Sequence, residues 1–231
     1  MLGTVVNALA VAAGGIAGSL IKGGLPERFR VIVTQAVGLS VLLIGLSTAV
    51  KNLLDPAAEP VLFIISLVLG GAAGELLGIE AALERLGELL RRKFSKNDEG
   101  FARGFVSASM LFCVGTMAII GSIQSGAKSD DTVLFAKSAL DGVSAVIFAS
   151  SMGPGVVFAA VPVFVYQGGI TLLARFAAPY ATPDLLREVS IAGGALIAAL
   201  GLNTLGITRI KAGNLLPAVF VPVLYYLIIK R

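Results

Sequence analysis

Histidine and tryptophan are absent from this 231-residue chain, and cysteine occurs once, as Cys113. Without histidine, the commonest metal ligand and acid–base side chain is missing. A lone cysteine cannot close an intrachain disulfide, and Cys113 lies in the apolar run Met110-Leu-Phe-Cys-Val114, where it reads as a packing residue. Charge is scarce as well. Only 14% of the residues are charged, against about 25% in soluble domains. There is no P-loop and no HExxH. The string Gly14-Gly-Ile-Ala-Gly18 sits inside an apolar run rather than in the strand–turn–helix setting of a dinucleotide fingerprint. The chain is therefore expected not to be an enzyme and to need no cofactor. The net charge of +4 comes from basic loops, so it reports topology rather than nucleic-acid binding.

What the chain has in quantity is apolar sequence, at 56%, and glycine, at 28 residues. Small residues let membrane helices approach closely, where packing must supply the association energy. Eight runs are long enough to be spans: Thr4–Leu20, Val31–Val50, Pro60–Ile79, Phe105–Ile123, Val133–Ser150, Gly155–Ala174, Val189–Ile207 and Leu215–Ile229. They are continuous rather than alternating with period two, which favours helices over a membrane barrel. The expected fold is an all-α membrane protein, a single integral membrane domain over residues 1–231. The Val133–Ala174 stretch is too long for one span, and Gly153-Pro-Gly155 divides it into a helical hairpin.

One long polar segment interrupts the apolar sequence. In Ile79–Leu90, Ile79, Leu83, Leu86 and Leu90 share a helical face, while Glu80, Glu84 and Glu88 share another. Arg91-Arg-Lys93 and Lys96 follow. The 79–96 segment reads as an amphipathic helix at the cytoplasmic membrane surface, or as a helix that docks a partner. With eight spans, one side carries 11 basic residues: Lys22, Arg28, Arg30, Arg85, Arg91, Arg92, Lys93, Lys96, Arg103, Arg209 and Lys211. The other carries the remaining 7, Lys51, Lys128, Lys137, Arg175, Arg187, Lys230 and Arg231. The positive-inside rule makes the first side cytoplasmic and both termini extracytoplasmic. The N-terminal Met1-Leu-Gly-Thr4 lacks a basic n-region, so the first run is expected to stay as a span.

The sequence also repeats itself weakly. Val37-Gly-Leu-Ser-Val-Leu-Leu-Ile-Gly-Leu-Ser-Thr48 aligns without a gap on Gly193-Gly-Ala-Leu-Ile-Ala-Ala-Leu-Gly-Leu-Asn-Thr204, matching Gly38 to Gly194 and Gly45 to Gly201. Pro26–Arg30 resembles Pro183–Arg187, and Gly14-Gly-Ile16 resembles Gly168-Gly-Ile170. Spans one to three thus resemble spans six to eight, with two spans between. An even number of intervening crossings makes this the signature of an inverted-topology repeat, in which binding sites tend to lie at mid-membrane.

Ionisable residues inside spans are costly and are site candidates by default. Lys137 and Asp141 are four residues apart and share a helix face. They suit an ion, proton or substrate site; a structural pair, or Lys137 reaching for the interface, stands beside that reading. Glu75 follows the glycine-rich face Gly70–Gly74 and suits either a cavity or the interface. Among uncharged groups, Asn7, Gln167, Asn203 and Asn214 stand out, because an amide has four hydrogen-bonding capacities to satisfy. Single Ser and Thr residues are discounted, since helix carbonyls usually satisfy them.

Several strings together resemble a family: Asn7 with Gly14–Gly18 and Leu25-Pro26; Ser107–Ile123; Lys137-Ser-Ala-Leu-Asp-Gly142; Tyr166-Gln-Gly-Gly-Ile-Thr171; and Asn214-Leu-Leu-Pro217. This is similar to the YqgA/YdfK-like bacterial membrane proteins, a family known as domain of unknown function 554. The resemblance covers almost the whole chain and implies a multi-pass protein of the bacterial inner membrane, without implying a substrate. The function expected is a small secondary transporter or ion-conducting protein, with a membrane scaffold or sensor acting through residues 79–96 as the alternative. The expected partners are the lipid bilayer and a small solute or ion, with homo-oligomerisation left open.

Overall fold

A computed structural model describes residues 1–24, 26–94, 100–114, 116–177 and 182–229. Lys96, Lys230 and Arg231 lie outside the described residues, as do the side chains of Lys22, Arg30, Thr116 and Arg175. Among the described residues every regular element is helical: α1 (Leu2–Gly24), α2 (Glu27–Leu53), α3 (Pro60–Leu77), α4 (Ile79–Phe94), α5 (Phe101–Val114), α6 (Thr116–Lys128), α7 (Thr132–Met152), a 3-10 helix at Pro154–Ala159, α8 (Ala160–Ala177), α9 (Pro183–Thr204), a second 3-10 helix at Leu216–Val219, and α10 (Val221–Ile228).

Six of these segments are long and apolar enough to cross a membrane: α1, α2, α3, α7, α9, and α8 together with the 3-10 turn before it. Their outward surfaces carry side chains such as Leu9, Leu20, Leu43, Val61, Val68 and Leu76, all more than 60% exposed. So many large apolar side chains facing outward suit lipid, not water. The chain is a multi-pass membrane protein.

Two expected spans take a different form. The fourth is broken: α5 and α6 meet at a bend of 70°. The eighth is short, since Leu216–Ile228 begins as a 3-10 turn. Even fully helical it would reach about 20 Å, less than the hydrocarbon thickness of roughly 30 Å.

Local chemistry sets the boundaries. Pro60 and Pro183 open α3 and α9 at positions where a missing N–H costs nothing, and the Thr182 hydroxyl caps α9 by accepting from the Leu185 N–H at 3.2 Å. Gly78 ends α3 in the left-handed conformation, φ 61°, and its N–H bonds back to the last turn. The expected break after α7 falls at Gly153, φ 97°, immediately before Pro154.

The helices form two compact units. The first contains α1, the start of α2, most of α4, and α5 to α8. Here α1 lies along α7 through its glycines: Gly3 faces Leu134, Gly14 faces the Gly142 carbonyl and Ala145, and Gly18 faces the Val146 carbonyl and Ala149. Later residues of α1 meet later residues of α7, so the two run parallel. Against α8 the order reverses, with Thr4 beside Thr171, Asn7 beside Gln167, and Gly15 beside Val157 in the preceding 3-10 turn. In the same unit α4 sets Gly87 against Ala102 and Phe105 of α5, with Leu83 and Leu90 half-buried. Leu86 and Leu89 face outward, at 46% and 63% exposure. The apolar face expected from spacing is therefore divided: one edge packs on protein and the other is free.

The second unit contains most of α2, α3, α9 and the C-terminal helices. Its organising feature is the crossing of α2 with α9. Gly38 meets Leu205, Leu42 meets Gly201, Gly45 meets Ala198, and Ala49 meets Gly194. The helices are antiparallel, and at every step a small residue admits the facing backbone or side chain. The glycine face of α3 is closed in the same way, Gly70 against Ala218 and Gly74 against the Asn214 carbonyl.

Candidate functional site

The first unit gathers four of the seven polar residues singled out from sequence. Lys137 and Asp141 lie one turn apart on the buried side of α7, and Asp141 is near the middle of that helix. The Lys137 ammonium donates to Asp141 Oδ2. Asn7, on α1, donates through Nδ2 to the same carboxylate oxygen at 3.0 Å and to Gln167 Oε1, on α8, at 3.1 Å. A carboxylate only accepts, so it fixes the orientation of the Asn7 amide, which in turn fixes that of Gln167. Asn7 and Gln167 are fully buried, and Lys137 and Asp141 are 5% and 8% exposed.

Burying one charge of each sign is tolerable only because they meet and are further hydrogen-bonded. The Lys137 Nζ also stands 6.0 Å from the centroid of the Phe112 ring, on α5. One turn from the amides, the hydroxyls of Thr4 and Thr171 share a hydrogen bond of 3.3 Å, and Thr171 also donates to the Gln167 carbonyl at 2.8 Å. Sequence reasoning discounted these threonines as single hydroxyls. The signal was their spacing: Thr4 is three residues from Asn7 and Thr171 is four from Gln167, so each shares a face with its amide.

Among the described residues, two atoms of this cluster have no partner. Asn7 Oδ1, an acceptor, and Gln167 Nε2, a donor, are both buried and unbonded. Unmet hydrogen-bonding capacity of this kind in a native interior calls for a ligand, an ion or a water.

The other three candidates belong to the second unit and do different work. Asn203 accepts from the Ile210 N–H at 2.9 Å and donates to its carbonyl at 2.7 Å, clipping the loop after α9. Asn214 donates to Glu75 Oε2 at 2.6 Å and accepts from the Glu80 N–H at 2.7 Å, so it ties the C-terminal segment to the α3–α4 corner. Lys211 completes this group, at 2.6 Å from Glu75 Oε1, and that hydrogen bond holds its ammonium above the ordinary lysine range. Both partners are more than half exposed. Glu75 is thus held in an exposed corner and not in a buried cavity.

One buried carboxylate escaped the sequence reading. Glu188, in the first half of α9, is 2% exposed and accepts from the Glu59 N–H at 3.0 Å, with Oε2 unpartnered. The apolar run expected from sequence begins at Val189, one residue after it. The Gly14-Gly15 and Gly168-Gly169 matches also differ in role. Gly14 and Gly15 are packing points, whereas an added Cβ at Gly168 would meet nothing nearer than 3.9 Å and one at Gly169 nothing within 4 Å. Among the described residues no group of His, Cys, Asp and Glu is arranged to hold a metal ion.

Comparison with known proteins places the chain in a family. A family described as "Protein of unknown function (DUF554)" matches residues 2–227. The chain is similar to the "Uncharacterized membrane protein YdfK" of Bacillus subtilis (strain 168), at 35% identity over 222 residues, covering 96% of this chain and 94% of the relative. It is also similar to the "Uncharacterized protein YqgA" of Escherichia coli (strain K12), at 34% identity over 223 residues, covering 94% and 93%. No solved structure matches.

Proposed function

This chain belongs to the DUF554 family, and from that premise we propose that it is a small secondary transporter or ion-conducting protein whose site is the Asn7–Lys137–Asp141–Gln167 cluster. The observation that carries this reading is the convergence of four polar side chains, from three helices, near the middle of α7. A charged residue at mid-membrane costs roughly 3 kcal/mol on insertion scales, and polar groups placed there mark pathways or binding sites. The role is read as non-enzymatic. The chain acts as one membrane domain, in the bacterial inner membrane, with both termini extracytoplasmic.

The inverted repeat and the eight crossings belong to the same proposal. Three pairs of helices would be related by the repeat: α1 with α8, α2 with α9, and α3 with the C-terminal segment. In each pair the members run antiparallel. The α2–α9 crossing adds a sharper argument. If the matched glycines are equivalent, exchanging the two helices turns Gly45–Ala198 into Leu42–Gly201, and Gly38–Leu205 into Ala49–Gly194. Both image contacts occur. Such reciprocity is the mark of a self-complementary, two-fold contact. Chain parity supports the crossing count. When α1, α2 and α3 each cross, the bent α5–α6 segment must cross too, or α7 could not run parallel to α1. Broken spans of this kind accompany transport sites in other architectures.

The test is reconstitution. Proteoliposomes loaded with pure protein are compared with empty vesicles under imposed proton, sodium and potassium gradients and a panel of small solutes. The reading expects protein-dependent flux or current that falls in the double variant Lys137→Gln/Asp141→Asn, compared at equal folded protein. Absence of flux under every gradient and solute opposes it.

A second reading has its own observation. The free edge of α4, with Leu86 and Leu89 outward beside Arg91 and Arg92, suits a membrane-surface or partner-docking helix. It expects co-purifying partners that disappear when the helix is replaced by a polar linker.

A further inference from the structure

We propose that the cluster takes a small zwitterion, a solute carrying one cationic and one anionic end; this rests on the reading of the cluster as the site. The argument begins from charge. Lys137 and Asp141 neutralise each other, and they are buried. A ligand with net charge would leave that charge uncompensated in a buried site, and an uncompensated buried charge is strongly disfavoured. A lone cation meets the Lys137 ammonium already seated on the carboxylate, and a lone anion meets Asp141. A zwitterion instead inserts between the two side chains and replaces each one's partner in kind: its ammonium on Asp141 and its carboxylate on Lys137. Neutrality is kept at every stage.

The unpartnered atoms agree with this assignment. A ligand that satisfies the site must donate to Asn7 Oδ1 and accept from Gln167 Nε2, and these are the capacities of an ammonium and a carboxylate. Such a ligand meets the charged pair and the amide pair with the same two ends.

Packing is also looser on the α8 side. Gly168 is buried, yet a Cβ added there meets only Met1 Cε at 3.9 Å and Thr4 Cγ2 at 4.0 Å. Gly14 and Gly18, by contrast, are filled to the backbone: a Cβ on either would collide with the carbonyl of Gly142 or Val146. The looseness at Gly168 adjoins Gln167 and the Thr4–Thr171 hydroxyl pair. The packing there tolerates one added methyl group, so the smallest zwitterions are the probes to use.

The experiment uses the whole chain in detergent and reads thermal unfolding against glycine, alanine and β-alanine, with acetate, methylammonium and sodium chloride as single-charge controls. A ligand bound only by the folded state raises the melting temperature with concentration. The expected result is a dose-dependent rise with at least one zwitterion and none with acetate or methylammonium at equal concentration. The apparent affinity should fall at least tenfold in the neutral double variant Lys137→Gln/Asp141→Asn and should fall in Gly168→Ala. The added methyl of the latter meets nothing nearer than 3.9 Å, so its unliganded melting temperature should stay near that of the unaltered protein. An equal rise with acetate or methylammonium overturns the proposal. So does no response to any zwitterion, which leaves an ordered water as the partner of the two amide atoms. Uptake of labelled glycine into proteoliposomes separates the two levels: zwitterion binding without uptake upholds this inference and opposes transport, whereas flux of another solute without zwitterion binding upholds transport and overturns this inference.

Discussion

The Lys137–Asp141 pair and the Lys211–Glu75 pair are made of the same chemical groups, each joined to an asparagine, yet they live in different solvents. Side-chain exposure is 6% and 11% for the first pair and 62% and 58% for the second. Asn7 binds the buried carboxylate and also spans to a second amide, whereas Asn214 closes a backbone corner. An amide–lysine–carboxylate set is a site candidate only where the fold withholds water from it. With solvent present the ion pair is screened and contributes little. Without solvent, removing one partner strands the other.

That difference is broken most directly at Asp141. Asp141→Asn leaves the Lys137 ammonium buried without its counter-charge, and such losses cost about 3–5 kcal/mol. Folded yield in detergent should collapse, and Lys137→Gln should do the same from the other side. Changing both removes the stranded charge and should recover much of the yield, as size-exclusion profiles and melting curves will show. Equal yields for the single and double variants would mean that the buried pair behaves like the exposed one.

Glycine substitutions give the next effect. Gly14→Val drives a side chain into the Gly142 carbonyl, and overpacking of this kind costs about 1–3 kcal/mol or more. Gly168→Ala meets nothing within 3.9 Å and should melt near the unaltered protein. Similar losses at both positions would remove the distinction between packed and open glycines on which the ligand argument leans.

In the second unit, Asn214→Ala removes the hydrogen bonds to Glu75 and to the Glu80 N–H, a loss of about 1–2 kcal/mol. Lys211→Ala should leave the melting temperature unchanged, because the pair it breaks is exposed.

The smallest effect is electrostatic and lies on the surface helix. The hydrogen bond from Arg91, with help from Arg92, holds the Glu88 carboxyl down to about 2, against an ordinary 4.5. A depressed carboxylate contributes its pairing fully above its unfolded value and loses it as pH falls through the folded one. The Glu88–Arg91 contact should therefore be intact above about 4.5 and dissolve toward 2. Carboxyl NMR should show Arg91→Ala returning the Glu88 midpoint toward 4.5; an unchanged midpoint would mean that Arg91 is not the cause.

Much of this was legible in the chain. Apolar runs marked most of the membrane helices, because lipid demands continuous helices of a fixed minimum length. Gly153-Pro154 marked the hairpin, since neither residue continues a helix. The four clustered residues were individually conspicuous because polar groups in apolar runs are costly. Their convergence was not legible: only the three-helix packing brings Asn7 within reach of residues 134 and 160 positions away. The bend between α5 and α6 gave no hydropathy signal, since a broken span is as apolar as a straight one. The reciprocal α2–α9 contact was half legible. The glycine match was in the sequence, but that the matched faces pack on each other is a tertiary fact.

The central claim is that the buried cluster serves transport and not merely folding. Flux through proteoliposomes carrying Lys137→Gln/Asp141→Asn tests it, at protein levels matched by folded fraction. The double variant is uncharged at the site, so its folding does not depend on the pair. The account predicts a well-folded protein whose flux is at least tenfold below that of the unaltered chain. A well-folded double variant with full flux would contradict it, and would make Lys137 and Asp141 a structural pair.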